Sequence, residues 1–211
     1  MEVIKNNRPS FTIEESHDGP IAGIDEAGCG AWAGPVVSSA VILPENASQY
    51  ILDLLDDSKK LSALRREKIY TLLHGIPNIF IGIGQSSVEE IDSLNIRQAT
   101  LLAMTRAIES LDQEPRTIII DGTAAPSCKY PCHTYIKGDQ RSYSIAAASI
   151  IAKVTRDRLM KKISQEYPQF GWESNAGYGT KRHRNALKEH SPTLWHRKSY
   201  KPIAELLEQH S

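Results

Sequence analysis

Residues 23–37 read GIDEAGCGAWAGPVV. An apolar run enters this stretch from Ile21 and delivers two adjacent carboxylates, Asp25 and Glu26, straight into a glycine-rich turn. The β-branched run that follows, from Val36 to Leu43, stops at Pro44. Residues 21–25 and 36–43 are therefore predicted to be two strands in a hairpin-like opening. Neighbouring side chains on a strand point to opposite faces, so the turn must bend the second carboxylate inward if both are to serve one point. Clustered carboxylates repel one another. A hard divalent cation such as Mg²⁺, which prefers oxygen ligands, would relieve that repulsion. An Asp-Glu pair in a turn is by itself more often structural than catalytic.

The same residues match G-x-G-x-x-A at Gly28, Gly30 and Ala33, the outline of a dinucleotide-binding loop. That loop must open a helix. Here Gly34-Pro35 interrupts the chain and Val36-Val37 resumes an extended conformation, which argues against it. The glycines read better as places where backbone groups approach a ligand closely.

Working outward, a helix is predicted around 62–74 with Ser62 as its N-cap, then an apolar strand at 79–83 and a helix from about 95 to 111. The run TIIID at 117–121 predicts a short buried strand ending in Asp121. After a loop and an extended piece near 133–137, residues 142–164 are Ala-rich and free of Gly and Pro, which predicts a long helix. The order is mixed α/β. Asp121 and Asp139 each sit beside a glycine after an apolar or extended stretch. Acids at several strand ends and loops can converge in an α/β protein as a two-metal phosphodiesterase requires, although Asp-Gly pairs are also ordinary turn residues.

The chain has 211 residues, 40% hydrophobic and 24% charged, which predicts one compact domain over 1–211. No run approaches the roughly 20 apolar residues of a membrane span, and the polar start lacks the apolar centre of a secretory signal. A cytoplasmic protein without a membrane partner is expected. Three cysteines do not suggest a disulfide framework. Cys128, Cys132 and His133 could ligate zinc, but their spacing crowds three ligands together and leaves no fourth. Net charge is zero, yet residues 153–201 hold 12 Lys and Arg against 4 Asp and Glu. A basic surface beside an acidic cluster suits a protein that holds phosphates with cations and cuts them with carboxylate-bound metals. A solvated helical face explains the charge equally well.

From residue 21 to about 201 the chain resembles bacterial ribonuclease HII. The resemblance rests on GIDEAGCGAWAGPVV, DSKKLS (57–62), NIRQAT (95–100), IDG (120–122), KGDQRSYSIAAASIIAKVTRDRLM (137–160), GYGTKRH (177–183) and WHRKSY (195–200), in matching order and spacing. It implies an α/β ribonuclease H-like fold, with a mixed central sheet flanked by helices and a helical C-terminal part from about 165. It also implies an endonuclease that hydrolyses the RNA strand of RNA-DNA hybrids and cuts 5′ to single ribonucleotides in duplex DNA. The implied route is two-metal hydrolysis with Mn²⁺ or Mg²⁺, leaving 5′-phosphate and 3′-hydroxyl ends.

By the same resemblance Asp25, Glu26, Asp121 and Asp139 are the catalytic carboxylates, with Asp25, Glu26 and Asp121 the firmest metal ligands. Gly28, Cys29 and Gly30 match the turn that tests for the 2′-hydroxyl, and Tyr178 would pack on the neighbouring sugar. The family usually carries Arg or Lys between those glycines, so Cys29 removes a cation from the site. Backbone-mediated recognition would survive that change. Lys59, Lys60, Lys153, Arg156 and the group Lys181-Arg182-His183 resemble positions near the duplex phosphates, each contact adding about 0.9 to the salt slope of binding. Ala146, Ala147, Ala148 and Ser149 are expected to let their helix approach the sheet. A non-catalytic duplex binder with the same fold is the competing function. Ribonuclease HIII, a neighbouring class, usually carries a preceding substrate-binding domain, whereas about 20 residues precede the first motif here. A monomer with no obligate protein partner is the expected state.

Overall fold

A computed structural model of the chain describes residues 8–44 and 46–209. Part of the polar N-terminal stretch, residues 1–7, lies outside the described residues.

Alternating and β-branched runs form five strands: β1 (Ile21–Ala27), β2 (Val36–Ile42), β3 (Phe80–Ser86), β4 (Thr117–Asp121) and β5 (Cys132–Tyr135). They build one mixed sheet in the order β3-β2-β1-β4-β5. β1-β2 and β2-β3 are antiparallel pairs, while β1-β4 and β4-β5 are parallel pairs. The helices are α1 (Gln49–Leu52), α2 (Ala63–His74), α3 (Val88–Leu94), α4 (Ile96–Glu109), α5 (Tyr143–Ile163), α6 (Trp172–Asn175), α7 (Lys181–Glu189) and α8 (Lys201–Gln209). The predicted cap on α2 is present, with the Ser62 hydroxyl accepting from the Arg65 N–H, and α5 is likewise capped by the Ser142 hydroxyl, which accepts from the Ile145 N–H.

α3 was not anticipated. Its own capping box, Ser87 with Glu90, starts a helix that stops at Asn95, a positive-φ residue whose side chain caps α4. The two helices are thus separated by one residue, and the single helix expected from 95 begins at 96.

Period-two alternation assigns the two faces of the sheet to two helices. Ile24, Ala40 and Ile42 pack against Met104, Ala107 and Ile108 of α4. Val41 packs against Ala146, Ala147, Ile150 and Ile151 of α5, and Ile21 and Ile119 pack against Ile145. The small residues at 146–149 are fully or almost fully buried, as expected for a helix lying close to the sheet. Gly23 makes that approach possible. A β-carbon there would lie 2.3 Å from the Ser144 carbonyl carbon and 2.4 Å from the Ile145 nitrogen. The C-terminal helices close over the far end of α5, where Met160 and Ile163 meet Phe170, Trp172, Leu187 and Ile203.

Gly23→Ala should therefore force α5 off β1. A loss of stability of about 1–3 kcal/mol or more is expected, measured by denaturant unfolding; wild-type stability would mean that α5 can shift without cost.

Candidate active site

β1 and β4 are parallel neighbours with Ile24 opposite Ile120, so the next residues, Asp25 and Asp121, reach the carboxyl ends of adjacent strands together. Both belong to the alternation that faces α5. Asp139 arrives from the other direction, in the 3₁₀ turn Gly138–Gln140 that precedes α5. The Gly138 N–H donates to Asp121 Oδ1 at 2.7 Å and locks this turn to the strand end. One carboxylate oxygen from each of Asp25, Asp121 and Asp139 lies within 4.8 Å of the others.

Glu26, expected as a ligand with Asp25 and Asp121, stands beside this group of three and not within it. The strand continues through Ala27, and Glu26 stays within electrostatic reach of Asp121 and Lys59. It follows the alternation toward α4, where its Oε1 accepts from Cys29 Sγ at 3.6 Å. It remains close enough to raise the pKa of Asp25.

The electrostatics are those of a crowded anionic centre. Burial first, and then the charges of Glu26, Asp121 and Asp139, hold Asp25 well above the usual carboxylate range, against the Glu26 N–H that donates to its Oδ1 at 2.7 Å. Burial also raises Glu26, with Asp121 adding to it and the Cys29 hydrogen bond opposing. Asp139 is pushed up to about 6 by burial, Asp121 and Asp57. Burial would depress Lys59, but Asp25, Asp139, Asp57 and Asp121 together raise it, so its ammonium stays charged beside the cluster. An all-oxygen donor set with unrelieved negative charge fits a hard divalent cation.

Beside this cluster, two buried guanidinium groups hold the glycine-rich turn. Arg197 donates from Nε and Nη2 to the Gly34 carbonyl, at 2.9 and 2.8 Å, and from Nη1 to the Cys29 carbonyl at 3.0 Å. Arg156 donates to the carbonyls of Pro35, Ala33 and Ala176 at 2.8, 3.0 and 2.8 Å. Both residues are fully buried. Arg156, expected among the phosphate contacts, is thus a brace for the turn. Gly28 lies against it with φ +100°, and a β-carbon there would come 2.0 Å from Arg156 Nε.

Cys29 sits between Glu26 and Thr100, its Sγ 3.4 Å from the Thr100 hydroxyl. Burial and the nearby Glu26 charge push its thiol up to about 11, which keeps it protonated and a poor nucleophile. Tyr178 flanks the turn: it is 37% exposed, and its Cε1 lies 3.9 Å from a β-carbon built on Gly30.

The remaining expected cations divide. Lys153 lies 5.8 Å from the Tyr178 ring centre and pairs with Asp157 at 2.7 Å. Lys60 pairs with Asp56 at 3.2 Å, and Arg182 pairs with Glu173 at 2.8 Å. Lys181 is exposed. His183 is buried, with Nε2 3.0 Å from that of His196 and accepting from Trp172 Nε1, so it is a core residue and not a phosphate contact.

Cys128 and Cys132 lie with their sulfurs 3.4 Å apart, but the His133 ring stacks on His17. Among the described residues the three aspartates are the one group of at least three potential ligands brought within metal-binding reach of one another.

A family model for ribonuclease HII matches residues 22–203. The chain belongs to the ribonuclease HII family. It is 48% identical over 202 residues to the ribonuclease HII of Jannaschia sp., an alignment covering 94% of this chain and 98% of that relative. The structure is similar to ribonuclease H2 from Pyrococcus horikoshii, with 26% identity, a TM-score of 0.74, and coverage of 91% and 98%. It also shares its fold with Bst-RNase HIII in complex with Mn²⁺, at 18% identity and a TM-score of 0.70 over 90% and 69% of the two chains. The chain is accordingly a metal-dependent ribonuclease hydrolase of a family that cleaves the RNA of RNA-DNA hybrids. No helix among its described residues is long and apolar enough to cross a membrane.

Two residues that matter here were quoted within motifs but given no role: Arg197 in WHRKSY and Asp57 in DSKKLS. A charged side chain in a short motif carries no sign of whether it ends up buried.

The raised carboxylates make this chain pH-sensitive in a defined direction. A carboxyl group whose folded pKa is about 6, against about 3.9 unfolded, favours the folded state when protonated, and that contribution is lost as pH rises through about 6. In chelator, Asp139→Asn should raise Tm at pH 7 and flatten the fall in Tm between about pH 4 and 6. Added Mn²⁺ or Mg²⁺ should raise the wild-type Tm at pH 7. Thermal melts that show no gain with metal would remove the aspartate cluster as its site.

Proposed function

We propose that this protein cuts duplexes on the 5′ side of a ribonucleotide, both in RNA-DNA hybrids and at single ribonucleotides embedded in DNA, and leaves 5′-phosphate and 3′-hydroxyl ends. The observation that supports this reading is the convergence of Asp25, Asp121 and Asp139 within 4.8 Å, beside a turn held open by Arg156 and Arg197 and flanked by Tyr178.

Asp25, Asp121 and Asp139 would hold divalent cations, with Glu26 contributing from the opposite alternation of β1. Mn²⁺ and Mg²⁺ both suit these oxygens. When bound, the ions supply the Lewis-acid and water-activating chemistry of two-metal phosphodiester hydrolysis. The protein's own groups do the rest. Lys59 offers a charged ammonium beside the carboxylates, where a backbone phosphate has to sit. The Cys29 and Gly30 N–H groups make no hydrogen bond within the described residues, and Arg197 fixes their turn through the Cys29 and Gly34 carbonyls. They are free to face a 2′-hydroxyl, which both donates and accepts. The exposed Tyr178 ring beside Gly30 provides a flat surface for the adjoining sugar. Because this test uses backbone groups, a cysteine between the two glycines leaves it in place.

Residues 1–211 would act as a single catalytic domain, with the helical part from about 165 supporting the turn through Arg197 and Tyr178. Lys60, Lys153 and Lys181 would add phosphate contacts at the rim, in a cytoplasmic monomer that needs no protein partner.

The test is cleavage of a labelled DNA duplex containing one ribonucleotide, with Mn²⁺ or Mg²⁺, then with chelator, beside an all-DNA control. A metal-dependent cut 5′ to the ribonucleotide, absent from the control, is expected. A folded protein that binds the duplex and never cuts it would instead be a binding module.

Two sets of variants refine the assignment. Asp121→Asn should keep folding and duplex binding while losing cleavage by at least about 100-fold. Cys29→Ala should leave ribonucleotide selectivity intact, whereas Gly28→Ala, which must displace Arg156, should lose most activity. Equal damage from the two turn variants, measured as kcat/KM, would show that recognition uses the cysteine side chain.

A further inference from the structure

Asp57 has no task in the chemistry above, yet it is only 7% exposed and stands among the charged groups of the site. A buried carboxylate is costly unless its oxygens are occupied. Here Oδ1 accepts from the Lys59 N–H at 2.9 Å, and Oδ2 accepts from Gln140 Nε2 at 3.3 Å. Its carbonyl accepts from the Lys60 N–H at 2.9 Å, closing the loop on itself. One side chain thus joins the loop that carries Lys59 to the 3₁₀ turn that carries Asp139.

The two joined segments need a tie more than the rest of the site does. Asp25 and Asp121 are held within the sheet, Asp25 paired with Ser39 of β2 and Asp121 with Tyr135 of β5. Lys59 and Asp139 come from turns. The Asp139 turn is anchored on one side by Gly138 to Asp121. The Lys59 loop is anchored on its far side by Arg66, which donates to the carbonyls of Ser58 and Leu61 at 2.8 and 2.6 Å. Asp57 spans the gap between these two anchors. Its charge is felt by both Asp139 and Lys59, which places it against each of them.

We propose that Asp57 is a positioning residue that clamps the Lys59 loop to the Asp139 turn, and so sets the separation between a substrate-facing ammonium and the third carboxylate of the centre. This rests on the assignment of Lys59 and Asp139 to the nuclease site. Residues that orient metal ligands from behind commonly carry 10–100-fold of metal affinity or activity, so the effect should be large.

The experiment compares wild type, Asp57→Ala, Asp57→Asn, Lys59→Ala and Asp57→Ala/Lys59→Ala. It measures single-turnover cleavage of an RNA-DNA hybrid, the Mn²⁺ concentration giving half the maximal rate, and Tm. Asp57→Ala should slow cleavage by about 10–100-fold and raise the half-saturating Mn²⁺ concentration, with Tm close to wild type. Asp57→Asn keeps an oxygen for the Lys59 N–H and should recover most of the rate. The double variant should lose less than the product of the two single losses, because both act through one unit.

Wild-type rates in Asp57→Ala would overturn the proposal. So would a rate loss that multiplies independently of Lys59, or an Asn variant as slow as Ala, which would make the charge and not the clamp decisive. If Asp57→Ala does not fold, Gln140→Ala cuts the same tie from its other end, and the same cycle with Lys59→Ala decides. Absence of cleavage by the wild type would sink the nuclease reading itself, a result distinct from any of these.

Discussion

Carboxylate repulsion at the end of a buried strand pair is the constraint on which the rest of the structure depends. Asp25 and Asp121 are forced side by side by the β1-β4 register, and Asp139 is pressed onto them by the helix that follows it. The sheet keeps these like charges close because its hydrogen bonds and the packing of α5 over Gly23 fix the backbone that carries them. The cluster is a local defect in stability that a bound cation converts into an advantage, which is how a metal site is commonly built into a fold that must be stable without it.

The positive charge of the C-terminal part does two unlike jobs. Arg156 and Arg197 are buried, and their donors are spent on backbone carbonyls of the turn between β1 and β2. A guanidinium suits this work because it offers five donors in a rigid plane and stays charged when desolvated. The turn is irregular, and its inward-pointing carbonyls at Ala33, Gly34 and Pro35 take their hydrogen bonds from these two arginines, which keeps them from being buried and unsatisfied. Other cations face outward around it, including Arg184, whose guanidinium lies 5.6 Å from the centre of the Trp32 ring in the same turn. The basic stretch at 153–201 is therefore part surface and part internal scaffold, and a count of charges along the sequence could not separate the two.

Much of the fold was legible because it follows from local pattern. TIIID gives a strand at 117–121, and the Gly-free and Pro-free run after Ser142 gives α5 to within a residue at each end. The division between α3 and α4 was not, since it turns on Asn95 adopting a positive φ, which side-chain periodicity does not report. The carboxylates were found individually as strand-end and turn acids. Three of the four form one close group, and Glu26 stands beside it within electrostatic reach of Asp25 and Asp121, a grouping that depends on strand pairing far apart in sequence. Arg156 and His183 were read as phosphate contacts on the strength of charge and motif, and both are core residues. Burial of a polar side chain depends on partners far away in sequence, such as the carbonyls of Ala33 and Pro35 for Arg156, and no local signal announces them.

Cys29 shows how a departure from a family's pattern can be absorbed. A long cationic side chain at this position would have Glu26 as a natural partner. The cysteine occupies less space and gives Glu26 a neutral S–H in place of a charge, while Thr100 and the apolar residues of α4 close in around it. The backbone of the turn does not depend on that exchange, because the Cys29 carbonyl is held by Arg197 and by the Tyr200 hydroxyl, both from the C-terminal part. What changes is the electrostatic balance. With one cation fewer, Glu26 is less neutralised and Lys59 is left as the ammonium that answers the acidic cluster. The position of Lys59 then carries more of the burden of holding substrate phosphate near the carboxylates, which is why the contacts that fix its loop matter in this chain.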